Sequence, residues 1–293
     1  MQKFTYLLLA GITNGSVYGL IGLSLSILYG SSRVINFAQG DFVMLGAMFA
    51  VMFMVTLALP WPLAILAVAA VVIAVSLAID YGVYRPMIRR KAPPLTIMMG
   101  TLGAAIMIYG ASLLIFGPEQ QFVPPLFSLK PLMIGFLITN SQQLAIIAMF
   151  VLFLVLTWFI LYRTRFGLCI RATGVNPKVA LLMGIRSERI VQFSFMFSAI
   201  VSGFAGVLVG PLLGAQIGMG LLLTVKGLMA AILGGLGSPF AAAAGGLAIG
   251  MMEALMAGYG TSLYAEPAIF LLILLVLFVR PYGLLGDYEA ERR

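Results

Sequence analysis

The sequence predicts an all-α polytopic membrane protein, and three observations lead there. Hydrophobic residues fill 62% of the 293 positions and charged residues 9%, against roughly 45–50% and 25% in soluble domains. The apolar residues gather in windows close to the ~20 residues that a helix needs to cross a bilayer. The 17 Lys and Arg, against 9 Asp and Glu, cluster in short loops between those windows, as the positive-inside rule expects. That placement accounts for the net charge of +8, so no nucleic-acid partner is expected.

Nine windows fall at about 5–29, 41–59, 63–84, 95–116, 143–162, 190–213, 221–235, 239–258 and 264–280. About eight are full transmembrane helices, and 221–235 is a short or broken segment. The first follows Lys3 and runs past Asn14 to Tyr29, too long for the apolar part of a signal peptide, so it is expected to be a retained span. Gly11, Gly15, Gly19, Gly22, Ser26 and Gly30 recur along it at helical spacing. A face of small residues lets another backbone approach closely; tight packing and the lining of a narrow path are both compatible with it.

Between the first two windows lies GSSRVINFAQGDF, with Asn36, Gln39 and Asp41. Polar groups at membrane depth require partners or water. One reading makes Asp41 the N-cap of the next helix, eased in by Gly40. The other is an interrupted span whose freed groups line a gate. With Asn14, these residues are the candidate path or gate set.

Asp80 precedes Arg85 by about one turn at the end of the third window, where an interfacial pair is expected. The stretch 117–142 contains Pro118, Pro124, Pro125 and Pro131 among alternating apolar residues, which suits an ordered loop containing a small hairpin. Lys226 and Glu253 each sit five residues from the outer end of their windows, hence roughly 8 Å deep at ~1.5 Å per residue. Glu253 shares the face of Gly246 and Gly250. An intramembrane charge pair between Lys226 and Glu253, and a role in the path, are the two readings.

Residues 163–189, RTRFGLCIRATGVNPKVALLMGIRSER, form a basic island between apolar runs. Asn176 supplies an N-cap, Pro177 a first helical position and Gly184 a stop. Val179, Leu182 and Met183 share one face of the short helix so delimited, which has no core of its own to bury into. A docking element is expected here.

Placing Arg33, the Arg85/Arg89/Arg90/Lys91 cluster, the island and Arg280 on the cytoplasmic side puts the N-terminus and 117–142 outside and the C-terminus inside. The chain lacks His, and Cys169 is its lone cysteine. Intrachain disulfides, Cys/His zinc sites and His-dependent catalysis are thereby excluded, and no metal, cofactor or catalytic residue is expected. GGLGSP, from Gly234 to Pro239, lacks the G-x-x-x-x-G-K-[ST] pattern and suits a turn between membrane segments. Any energy from ATP must come from another polypeptide.

INFAQGDFVMLGA (Ile35 to Ala47), RATGVNPKVALLMGI (Arg171 to Ile185), VKGLMAAILGGLGS (Val225 to Ser238), GGLAIGMMEAL (Gly245 to Leu255) and RPYGLLG (Arg280 to Gly286) resemble, in order and over nearly the whole chain, the permease subunits of bacterial branched-chain amino-acid ABC importers. The resemblance implies a type II importer-like permease, 1–293 forming one transmembrane domain in the inner membrane. It also implies a homologous second permease, two cytoplasmic ATP-binding subunits and a periplasmic substrate-binding protein as partners. Asn176, Pro177, Val179, Ala180, Leu182, Met183, Gly184 and Ile185 would form the coupling helix seated in the ATPase. Gln39 departs from the family, which often has His there, and so removes the basis for a proton-linked role. Permeation of urea or short amides in a related importer stays open, as does a secondary transporter using Lys226, Glu253, Asp41 or Asp80.

Overall fold

A computed structural model of the chain describes residues 2–125, 131–134, 137–260, 265–280 and 283–285. The first helix, α1 (Gln2–Ser32), is followed by α2 (Gln39–Val51), extended by a π-helical turn at Met52–Thr56. Next come α3 (Trp61–Ile79), a second π turn (Asp80–Tyr84) and α4 (Arg85–Arg89), which together run as one apolar rod from Trp61 to Arg89. The chain continues with α5 (Pro94–Phe116), the antiparallel strands β1 (Pro131–Ile134) and β2 (Leu137–Asn140), and α6 (Ser141–Arg163). Then follow α7 (Arg165–Val175), α8 (Pro177–Leu182), α9 (Ser187–Leu213), α10 (Met219–Gly234), α11 (Pro239–Tyr259) and α12 (Ala265–Val279).

Among the described residues seven helices are long and apolar enough to cross a membrane, and Met219–Gly234 and Glu266–Val279 are shorter apolar helices. The segment expected to be short is therefore joined by a second one at the C-terminal end. Pro sits in the first turn of α3, α5 and α11. Its missing N–H costs nothing there because the first-turn donors have no intrahelical acceptor.

Burial divides the helices into a centre and a rim. The apolar window of α9 is 72% buried within the chain and that of α5 only 17%. Helices α1, α2 and α9 form the centre, where Phe42, Met44, Met48 and Phe195 are almost completely buried. Helix α5 presents Met107, Leu114 and Ile115 outward, a surface that only lipid or a second apolar protein can cover at low cost.

Glycine makes the centre this dense. A Cβ on Gly11 or Gly15 would lie 2.8 Å from the Cα of Met251 or Leu247, and one on Gly250 would collide with Gly15. The small-residue face of α1 is thus a packing face: α1 and α11 run antiparallel at backbone contact, held by dispersion over a long, close approach. Farther along, Gly30 meets Gly174 of α7 instead.

The segment after α5 is pinned to the end of α9. Gln121 and Ala215 form a bridge, Gln120 Nε2 donates to Leu213 O at 2.8 Å, and Val123 is buried against Gly210. The hairpin leads into α6 through a capping box in which Asn140 and Gln143 bond each other's backbone.

Candidate functional site

Three groups of polar residues stand out from the apolar body. The first lies at the break between α1 and α2. Helix α1 ends at Ser32, Arg33 adopts a left-handed φ of 55°, and regular helix resumes at Gln39. The Asp41 N-cap reading is corrected here: Ala38 is the N-cap, without a side-chain bond, and Asp41 lies inside the first turn. Its carboxylate suits that place because the N-terminal N–H groups favour a negative charge. Asp41 Oδ1 rests against Gly220, beside the first turn of α10, so two helix N-termini converge on it.

Gln39 is completely buried and ties the centre together. Its Nε2 lies 2.7 Å from Ser202 Oγ, 2.9 Å from Ser24 Oγ and 3.1 Å from Ser198 O. An amide nitrogen has two hydrogens, so it serves two of the three at a time, while the Ser24 and Ser202 hydroxyls share a bond at 2.9 Å. Asn36 Oδ1 accepts from Ala38 N, and its Nδ2 lies 3.4 Å from Gln39 Oε1. Gly40 N donates to Thr224 Oγ1 of α10 at 2.8 Å, a contact that a Cβ on Gly40 would block. The backbone N–H groups of the break are thus met by the side chains of Ser32, Asn36, Thr101 of α5 and Thr224 of α10, while α1 and α9 hold the Gln39 amide, as polar groups at membrane depth require. Asn14 stands apart: it is half-buried within α1, and its side chain forms no hydrogen bond among the described residues.

The second group centres on Lys226. Its Nζ lies 2.6 Å from Glu253 Oε1, 3.1 Å from the Tyr18 hydroxyl and 3.8 Å from Glu266 Oε1. The ammonium also lies 5.0 Å from the centre of the Tyr18 ring, which adds a cation–π attraction. One lysine on α10 thus gathers α1, α11 and α12. The sequence brought out Lys226 and Glu253; Tyr18 and Glu266 were missed, since an isolated Tyr in an apolar span and a Glu at a helix start carry no signal by themselves.

Replacing Lys226 by Met or Glu253 by Gln should each cost about 3 kcal/mol, because a desolvated ion loses its shortest partner. The exchange Lys226→Glu with Glu253→Lys should recover part of that loss. Thermal unfolding in detergent measures both, and fully additive effects would rule out direct coupling.

The third group is the island between α6 and α9. Thr164 Oγ1 caps α7 by accepting from Gly167 N, and Asn176 Oδ1 accepts from Val179 N at 3.3 Å at the start of α8. Gly184, at φ 81°, turns the chain out of α8, a conformation that a side chain would strain. Ala180 is buried, while Val179, Leu182 and Met183 are exposed, Leu182 by 88%. Ile185 packs on a small cluster of Leu161, Ile170 and Ile190 that joins α6, α7 and α9. The sequence reading marked α8 but not α7, although the residues that α7 buries, Gly167, Ile170, Thr173 and Gly174, recur at helical spacing.

Helix α7 also touches α1. Arg33 Nε donates to Gly174 O at 2.8 Å, and the Gly30 carbonyl lies so close to Gly174 that no side chain fits between them. The island is therefore joined to α1 as well as to the two spans it links in sequence.

Comparison with known proteins gives a consistent picture. The high-affinity branched-chain amino acid transport system permease protein LivH of Escherichia coli K12 is 32% identical, covering 99% of both chains. The LivH of Salmonella typhimurium matches to the same extent. BraD of Pseudomonas aeruginosa, of the same description, is 33% identical over 97% of this chain and 96% of its own length. Residues 7–280 match the family described as the permease component of the branched-chain amino acid transport system. With nearly its whole length matched and seven helices long and apolar enough to cross a membrane among its described residues, the chain belongs to the family of branched-chain amino acid transport permeases.

Proposed function

We propose that this chain is one of two permeases of an ATP-driven importer of branched-chain amino acids in a bacterial inner membrane. Two cytoplasmic ATPases and a periplasmic binding protein complete the assembly, and the chain itself catalyses no reaction. The observation that carries this reading is α8: a helix capped at both ends, anchored through Ala180, with Val179, Leu182 and Met183 left uncovered. Exposed apolar side chains outside the spans need a partner groove. Asn176 to Ile185 is that coupling element, and a push on α8 reaches α6 and α9 by the chain and α1 by the Arg33–Gly174 bond.

The break at Asn36, Gln39 and Asp41 is the candidate gate, because an interrupted backbone held by side-chain bonds shifts at lower cost than a continuous helix. The N-terminus and 117–142 face the periplasm and the island faces the cytoplasm, a reading supported by the Arg and Lys gathered at the island's end of the molecule.

Right-side-out vesicles test both statements. Leucine uptake by the assembled system should require enclosed ATP and the cytoplasmic subunits; uptake driven by an ion gradient alone would reject the reading. With Cys169→Ser in place, the exposed Glu119 changed to Cys should react with an impermeant thiol reagent from outside. Reaction only after the vesicles are opened would reverse the orientation.

A further inference from the structure

We infer that the arginine-lined cavity at the end of the α3–α4 rod is a binding site for the headgroup phosphate of an anionic phospholipid. The cavity has a volume of about 350 Å³ and is lined by Tyr81, Arg85, Pro86, Arg89 and Arg90. Three arginines line one space at the end of an apolar rod, and guanidinium groups offer the planar, multidentate donors that suit phosphate.

The walls are held in place. Arg85 Nε donates to Asp80 Oδ2 at 2.8 Å, and its guanidinium carbon stacks 4.1 Å from the centre of the Tyr81 ring. The Tyr81 hydroxyl in turn accepts from Gln192 Nε2 of α9 at 3.1 Å. Arg85 is thus largely spent on Asp80, although its Nη2 has no hydrogen-bond partner. Arg89 has only a loose contact with Glu188, 3.6 Å long with both side chains mostly exposed. Such an exposed pair contributes little. Arg90 is exposed and forms no ion pair among the described residues. Arg89 and Arg90 are therefore the cations free to take an anion.

Lipid, rather than a soluble anion, follows from what surrounds the cavity. Ile88 and the exposed ring of Tyr81 lie on the rod itself, and Leu95 and Met99 project from the neighbouring first turns of α5. Helices α3 and α5 are rim helices whose apolar surfaces stay largely uncovered. A ligand with a phosphate head and acyl chains satisfies both the arginines and this apolar border, whereas inorganic phosphate would leave the border bare. Basic clusters flanking a span gain roughly fivefold in affinity per cation for anionic lipid.

The test uses the purified full chain in detergent, with phosphatidylglycerol, phosphatidylcholine or inorganic phosphate added, read by native mass spectrometry and thermal unfolding. Arg85 is left intact because its removal would strand Asp80. Phosphatidylglycerol should be retained and should raise the unfolding temperature, phosphatidylcholine and inorganic phosphate should not, and Arg89→Gln with Arg90→Gln should weaken retention on the order of twentyfold. The double variant should unfold at the wild-type temperature without lipid, since both side chains are exposed. Equal retention of the two lipids, stabilisation by inorganic phosphate alone, or unchanged retention by the double variant would each overturn the assignment. Loss of ATPase co-purification with lipid retention intact would assign these arginines to protein docking instead.

Discussion

Replacing Leu182 by Asp should leave the permease folded and membrane-inserted while abolishing the stimulation of ATP hydrolysis by substrate-loaded binding protein. Leu182 is 88% exposed in the isolated chain, so the substitution removes no internal packing and Tm should not change. In the proposed assembly the same side chain would enter the ATPase groove. Losing its burial forfeits about 1.5–3 kcal/mol, and a carboxylate trapped in an apolar groove costs more. Together these weaken the contact by roughly a hundredfold or more. Ala180 supplies the contrast. It is buried against the chain's own helices, so Ala180→Asp should lower Tm before any partner is present. Normal coupling in an assembled Leu182→Asp transporter would show that α8 is not the contact through which the ATPase acts.

Gly250→Val should prevent the chain from reaching a stable fold. A Cβ at Gly250 would overlap Gly15 and lie 2.6 Å from Gly11 O, and all of these neighbours are backbone. Side chains can rotate away, but here two long helices would have to separate along their whole contact. The cost should exceed the ~1–3 kcal/mol of ordinary core overpacking, enough to consume much of the stability of a typical domain. Gly103→Val is the control, since a Cβ there meets nothing within 4 Å among the described residues. Yield of monodisperse chain and unfolding temperature in detergent report the difference. If both variants behave like the wild type, the α1–α11 contact is looser than described.

Much of this was legible in the sequence. The spans could be located because lipid imposes one uniform demand, about 20 apolar residues with every backbone group satisfied internally. The island could be recognised because caps act locally: Asn176, Pro177 and Gly184 mark the ends of α8 whatever lies around them. The small-residue spacing of α1 also announced a close approach, since Gly at every fourth position has one face to offer.

What tertiary structure decided is which partners meet. Spacing cannot say that α1 lies against α11, nor that Gly30, at the end of the same stripe, serves α7. The sequence grouped Gln39 with Asn36 and Asp41, but its actual partners, Ser24, Ser198 and Ser202, lie as much as 163 positions away. Asp41 seemed placed to cap α2, yet the helix begins two residues earlier, where Gly40 N can reach Thr224. Lys226 and Glu253 had matching depths from sequence, but depth fixes one coordinate of three. Tyr18 and Glu266 joined them only through the packing of four helices. Hydrophobicity and capping depend on near neighbours in the chain and are written in it locally. Pairing across a bundle depends on how whole helix surfaces fit, and no short stretch of sequence contains that fit.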